Sequence, residues 1–171
     1  KGSISLLITG DEEGVAINGT KRVVEYLKRK KEKIDFCLVG EPTNQNRLGE
    51  MMKIGRRGSI TGYLTVYGIQ GHVAYPNDAN NPAPVMTKIL NKIENTKLDK
   101  GTKNFQSSNL EIVKINIENN ADNVIPAEVT ATFNIRFNDR HSSNSLKKKL
   151  NNIFKKTCRK SKCSFKISYM V

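Results

Sequence analysis

The sequence predicts two pieces of different class: part of an α/β layer over residues 1–56, then a ferredoxin-like α+β domain over residues 57–171. Three observations carry this. Apolar runs at 3–9 and 34–39 bracket a helix-spaced segment, which is a βαβ pattern. From residue 58 onward, alternating and helix-spaced segments follow in the order β-α-β-β-α-β, the split βαβ arrangement. Between the two, at Gly55-Arg56-Arg57-Gly58, continuous apolar strands give way to strict alternation.

Ile4-Ser5-Leu6-Leu7-Ile8-Thr9 is a short apolar run that stops at Gly10, as a buried strand does. Asn18 stands where it can cap a helix over 19–32, whose Val23, Val24 and Leu27 share one face. Ile34-Asp35-Phe36-Cys37-Leu38-Val39 is the second strand, with Cys37 as a small buried residue inside it. Two parallel strands cannot make a sheet alone, so this piece requires further strands. In the second piece, Ile60, Gly62, Leu64 and Val66 alternate with Thr61, Tyr63, Thr65 and Tyr67, a strand with one covered face. Val85, Met86, Ile89, Leu90 and Ile93 recur at helical spacing over 82–95, with proline in the first turn. Residues 110–117 and 129–137 alternate again. A helix over 143–159, with Leu146, Leu150, Ile153 and Phe154 on one face, and a strand from 164 complete the series.

The 171 residues carry a formal net charge of +13, with 37% hydrophobic and 26% charged residues. The cations cluster over 21–33 and 147–166, on the outer faces of two amphipathic helices. No aromatic RNP-like motif, zinc finger or arginine-rich reading helix accompanies them, so no nucleic-acid partner is expected. No apolar run approaches the roughly 20 residues that cross a bilayer, and no membrane association is expected. Cys37, Cys158 and Cys163 form no CxxC pair, which suits a reducing cytoplasm. The opening Lys1-Gly2-Ser3 and the alternating run to Val171 both read as interior to a longer polypeptide.

Gly10-Asp11-Glu12-Glu13-Gly14 sets three acids at one strand tip. Like charges so placed raise one another's pKa unless a cation lies between them. The carboxyl ends of strands are also where α/β sheets bind their ligands. Gly40-Glu41-Pro42-Thr43 repeats the pattern at the second tip. Glu13 and Glu41 can each hold one ion of a pair roughly 3.5–4 Å apart, leaving Glu12 as general base. The same three acids serve equally well by charging the N-terminus of the helix that follows. His72, in Gln70-Gly71-His72-Val73-Ala74-Tyr75-Pro76, lies on a glycine-bearing loop, a setting suited to chemistry. Asn123, in Asn123-Val124-Ile125-Pro126, is either a turn former or an amide directed at a ligand. Arg56, Arg57 and Arg136 offer bidentate forks to carboxylates. His141, beside Arg140 in a polar turn, reads as a residue without a chemical role.

The strings Gly10-Asp11-Glu12-Glu13-Gly14, Val39-Gly40-Glu41-Pro42-Thr43, Lys53-Ile54-Gly55-Arg56-Arg57-Gly58-Ser59, Gln70 to Pro76 and Asn123 to Pro126 together resemble the dimetallic aminoacylase and carboxypeptidase family. Within it they are most similar to members that split N-succinyl amides. The resemblance runs over nearly the whole chain. It implies part of a zinc-exopeptidase-like α/β catalytic domain followed by a dimerisation lid, in a cytoplasmic homodimer. It further implies hydrolysis of N-succinyl-diaminopimelate on the lysine route, with two zinc ions for which cobalt can substitute. Residue by residue, it makes Glu12 the general base and Glu13 and Glu41 metal ligands, one for each ion. It makes His72 a lid histidine that reaches the partner subunit's site and stabilises the oxyanion. It sets Arg56, Ser59, Tyr75, Asn123 and Arg136 against the substrate. The family's upstream His-x-Asp motif, metal-bridging aspartate and late histidine ligand have no match here, so an incomplete and inactive portion is expected. Two other readings stand beside it: a module that only dimerises, and a deacylase for another acyl group, such as the acetyl of acetylornithine.

Overall fold

A computed structural model describes residues 2–171, which fall into two compact units, one running to Met52 and the other from Lys53 to Val171. Among its described residues the first unit holds one regular element, helix α1 (Thr20–Arg29). Neither apolar run beside it becomes a strand: among the described residues, 3–9 and 34–39 join no ladder. Ile4, Leu6, Ile8, Phe36 and Leu38 are all exposed. The physical reason is the composition of the runs themselves. They are apolar on both faces, as strands buried under two layers are, and within this unit there is nothing to supply neighbours or cover. Cys37 is accordingly exposed rather than buried.

The cap of α1 also differs from the sequence expectation. Gly19, not Asn18, is the N-cap, and it has no side chain to offer. The backbone amides ahead of the helix are satisfied instead by Asp11, whose Oδ2 accepts from Ile17 N–H at 3.0 Å and Asn18 N–H at 3.3 Å. At the other end Lys31 takes a left-handed φ of 59°. Glu32 N–H donates back to Leu27 O and Lys31 N–H to Lys28 O, both at 3.0 Å, which closes the last turn.

The second unit follows its periodicity closely. Its elements are β1 (Gly58–Tyr67), β2 (Gly71–His72), α2 (Ala83–Glu94), β3 (Asn109–Asn116), β4 (Val124–Ile125), β5 (Glu128–Phe137), α3 (Ser143–Arg159) and β6 (Ser164–Met170). Four strands form one antiparallel sheet in the order β3-β5-β1-β6, and β2 pairs with β4 separately. Read from the β6 edge, the four long strands run fourth, first, third, second, which is the ferredoxin-like order.

Alternation along β1 and β5 sends Ile60, Leu64, Val66, Val129, Ala131, Phe133 and Ile135 to one face, all buried. Helix α2 covers that face with Val85, Met86, Ile89, Leu90 and Ile93, and α3 with Leu146, Leu150 and Phe154. Each such side chain contributes roughly 1.5–3 kcal/mol by leaving water. Gly62 is part of the fit: it lies opposite Phe133, and a Cβ there would run into the aromatic ring. Ser142 begins α3 with a reciprocal cap, accepting from Ser145 N–H at 3.2 Å while Ser145 Oγ takes the Ser142 amide at 3.1 Å.

The helix connections are held by a buried carboxylate. Asp99, in the loop after α2, accepts from Gly101 N–H at 2.7 Å, Ser108 N–H at 3.2 Å and Asn138 Nδ2 at 2.7 Å. His141 Nε2 lies 3.1 Å from Oδ2, the oxygen that also takes the Ser108 amide. Burial opposes the charge on Asp99, but these bonds, with that of the Ser108 hydroxyl, outweigh it and hold the carboxyl well below its usual range. His141 is therefore a tie between the loop before β3 and the turn before α3. Asp99→Asn is expected to cost about 2–3 kcal/mol at neutral pH. The carboxylate's contribution is complete above about pH 4 and is lost as pH falls below that. Urea midpoints followed from pH 6 to pH 2 check this: the wild type loses stability below about pH 4, and Asp99→Asn loses less over that window.

Candidate functional site

The loop between β1 and α2 is folded back on itself, and this places His72. Ile69 and Asn80 exchange both backbone bonds at 2.9 Å, and Gly68 N–H donates to Ala127 O at 2.8 Å. Gly68 is required there, because a Cβ would collide with the Asn80 carbonyl and lie 2.7 Å from Cδ of Pro82. From this closure β2 leaves to pair with β4, with Gly71 opposite Ile125 and His72 opposite Val124. Val73 N–H extends the ladder to Asn123 O at 3.0 Å.

Three of the residues singled out from sequence meet on this small ladder. The His72 and Tyr75 rings lie 5.8 Å apart, and Nδ2 of Asn123 is 3.4 Å from Nε2 of His72. Tyr75 N–H donates to His72 O at 2.9 Å, making a tight turn. Ala74 N–H donates to Nδ1 of the same histidine at 3.0 Å. All three side chains are exposed, so the cluster presents an imidazole, a phenol and an amide outward from a backbone-fixed platform.

A second group lies on the uncovered face of the four-stranded sheet. Ser59 and Arg136 are directly opposite in the β1–β5 register. Asn134, on the same face, donates to Ser59 Oγ at 3.3 Å and Thr61 Oγ1 at 2.9 Å. Arg136 is exposed on this polar side. Arg56 is exposed just ahead of β1. Arg57 is committed to the fold: its Nη1 donates to Ser107 O at 3.2 Å and Asn109 Oδ1 at 3.0 Å.

The acids belong to the first unit. Glu12 and Glu13 are exposed and Glu41 half-buried, whereas Asp11 is spent on the amides ahead of α1. Of the helix-supporting role the sequence allowed to the three acids, the bonds to Ile17 and Asn18 show it for Asp11. Carboxylate oxygens suit a hard or borderline divalent ion, but a zinc site takes three protein ligands or more. Among the described residues no group of three His, Cys, Asp or Glu forms such a set. Glu13 and Glu41 therefore do not make a metal site by themselves. Cys158 and Cys163 are buried in the core, where burial first and the neighbouring Cys163 second push the Cys158 thiol up to about 11.

Sequence reasoning missed the Ala74 amide, which carries no side-chain signal. It also missed the Asp99 cluster, whose members at 99, 101, 108, 138 and 141 share no spacing.

Comparison with known proteins bears on what these groups do. Residues 54–162, more than half of the chain, match the family model described as the peptidase dimerisation domain. The chain belongs to that family. The dimerisation domain is thus the β1–α2–β3–β5–α3 body described above, and the second unit accounts for it. Across 99% of its length the chain is 69% identical to the succinyl-diaminopimelate desuccinylase of Pelagibacter ubique, covering 44% of that protein. It is 51% identical to the enzyme of that name from Rickettsia bellii, over 98% of the chain and 43% of the relative. The chain spans less than half the length of the curated relatives it matches. Among solved structures, an aminobenzoyl-glutamate utilization protein from Klebsiella pneumoniae superposes with a TM-score of 0.58 at 9% identity, covering 67% of this chain and 28% of that one. An aminopeptidase from Bacillus cereus gives 0.54 at 12%, over 68% and 32%. At such identities the likeness is one of fold.

Gly68→Ala should lower stability by about 1–3 kcal/mol, since the carbonyl it strikes is main chain and cannot step aside. Thermal unfolding measures this. Gly40→Ala, with nothing within 4 Å of its new Cβ, is the neutral control. The same Gly68 variant should shift the His72 ring resonances, because the closure that places β2 is what it disturbs.

Proposed function

We propose that this chain is the lid, residues 57–171, and part of the metal-binding catalytic layer, residues 1–56, of an amidohydrolase. The reaction is hydrolysis of N-succinyl-LL-2,6-diaminopimelate. Water adds to the succinyl amide carbonyl, the C–N bond breaks, and succinate and LL-diaminopimelate leave. The observation that carries this reading is the 69% identity to a desuccinylase over 99% of the chain. The whole protein is read as a cytoplasmic homodimer through the lid.

The roles follow from chemistry that each group can supply. Glu13 and Glu41 would each hold one divalent ion, zinc or in its place cobalt, with the remaining ligands supplied from outside residues 1–171. Such ions, when bound, would supply polarisation of the amide carbonyl and acidification of water. Glu12 takes the proton of the attacking water and returns it to the departing nitrogen. His72 donates from its ring to the oxygen that becomes negative as the carbonyl turns tetrahedral. Tyr75 and Asn123 flank that ring and contact the substrate beside it. Arg136 and Arg56 bind substrate carboxylates as charged forks, and Ser59 offers its hydroxyl across the strand pair from Arg136.

The test is turnover of N-succinyl-diaminopimelate with zinc, by the chain alone and by the chain lengthened at both ends to the size of its relatives. Hydrolysis by the lengthened protein only, falling about 10²–10⁴-fold in kcat on Glu12→Gln, is expected. No hydrolysis by the lengthened protein, or full activity in Glu12→Gln, contradicts the reading.

A further inference from the structure

His72 meets a nitrogen donor at each end of its ring, and both cannot be satisfied at once. Ala74 N–H points at Nδ1 from 3.0 Å, and the Asn123 amide nitrogen faces Nε2 from 3.4 Å. A neutral imidazole has one N–H and one lone pair. With the lone pair on Nδ1, the proton sits on Nε2 and confronts the NH₂ of Asn123. With the lone pair on Nε2, the proton sits on Nδ1 and confronts Ala74 N–H. One of the two neighbours must yield.

Their freedoms are unequal. The Ala74 amide is main chain, two residues after the β2 ladder, in a turn pinned by the 2.9 Å bond from Tyr75 N–H to His72 O. Moving it means breaking that turn. The Asn123 side chain needs only half a rotation about its last bond, which exchanges oxygen for nitrogen with almost no change of shape. Asn123 yields, and its Oδ1 then faces Nε2.

We infer that the Ala74 backbone amide locks His72 as the Nε2–H tautomer, and that Asn123 is a positioning residue whose Oδ1 accepts the Nε2 proton. The consequence rests on the proposed function. A donor aimed away from its own backbone is ready to pass from Asn123 to a developing oxyanion, with no tautomer change during the reaction. The amide of Asn123 thus holds the ring's donor in register until substrate replaces it.

The tautomer can be read directly, because the chain has only two histidines, His72 and His141. Long-range ¹H–¹⁵N correlation of the ¹⁵N-labelled chain at about pH 8.5, above the ordinary imidazole range, reports which ring nitrogen carries hydrogen. His72→Gln assigns the signals. The expected spectrum has His72 Nε2 at the protonated limit and Nδ1 at the lone-pair limit, without averaging. Asn123→Asp, whose carboxylate can only accept, should leave that pattern unchanged. Ala74→Pro, which removes the N–H, should move both nitrogens towards averaged positions. A wild-type proton on Nδ1, averaged wild-type signals, or a tautomer that switches in Asn123→Asp overturns the inference. All three of these readouts stand even where Ala74→Pro does not fold. No turnover enters the measurement. A lengthened protein that fails to hydrolyse the succinyl amide would sink the proposed activity and leave the tautomer standing. An active one with the proton on Nδ1 would do the reverse.

Discussion

The lid depends on one strand lying between two others that come much later in the chain. β1 pairs with β5 along its whole length, Gly58 to Phe137 through Tyr67 to Glu128, and with β6 from Thr61 to Tyr67. Once that triplet forms, both crossovers must place α2 and α3 on the same apolar face, because right-handed connections from a twisted sheet leave no other choice. The core, with Ile60, Phe133, Ile89 and Phe154 at its centre, follows from that placement. The loop leaving the end of β1 is then closed by Gly68, Ile69 and Asn80, and His72 is carried out on β2. The candidate chemistry of this unit is thus downstream of a sheet register rather than of any local motif.

Periodicity made this body readable. Helix α3 begins and ends at the residues that its apolar spacing gives, and all five apolar positions expected on α2 are buried. β5 shows Val129, Ala131, Phe133 and Ile135 inward, as alternation requires. The same reasoning overreached in the first unit. Residues 4–9 and 34–39 have the composition of strands, but composition states only what a segment would do inside a sheet. It does not supply the neighbours. The exposed Cys37 shares that cause, a local pattern read as though its surroundings were present, whereas the Gly19 cap goes with the bonds that Asp11 makes to the amides ahead of the helix. The tie between Asp99 and His141 carried no sequence signal at all, although His141 was rightly given no chemical role. Polar residues joined across a loop and a turn by tertiary packing leave no period to detect.

The candidate site was legible as a set of residues and much less as geometry. His72, Tyr75 and Asn123 stood out on separate strings, and the β2–β4 ladder brings them together. Ser59 and Arg136 form a second group by register alone. What sequence could not supply is which neighbour controls the ring, since that neighbour is a backbone amide. The acids show the complementary case. The string alone let all three of Asp11, Glu12 and Glu13 support the helix, and the bonds to Ile17 and Asn18 show Asp11 doing so.

The unit from Lys53 onward builds its own sheet and core, whereas among the described residues 3–9 and 34–39 join no ladder. Native-state amide hydrogen exchange on the 171-residue chain tests this directly. Slow exchange confined to β1, β5, β6, α2 and α3, with 3–9 and 34–39 exchanging freely, is the predicted result. Protection of 3–9 and 34–39 at the level of β1 would contradict it, and would mean that the chain builds its acid-bearing strands without further segments.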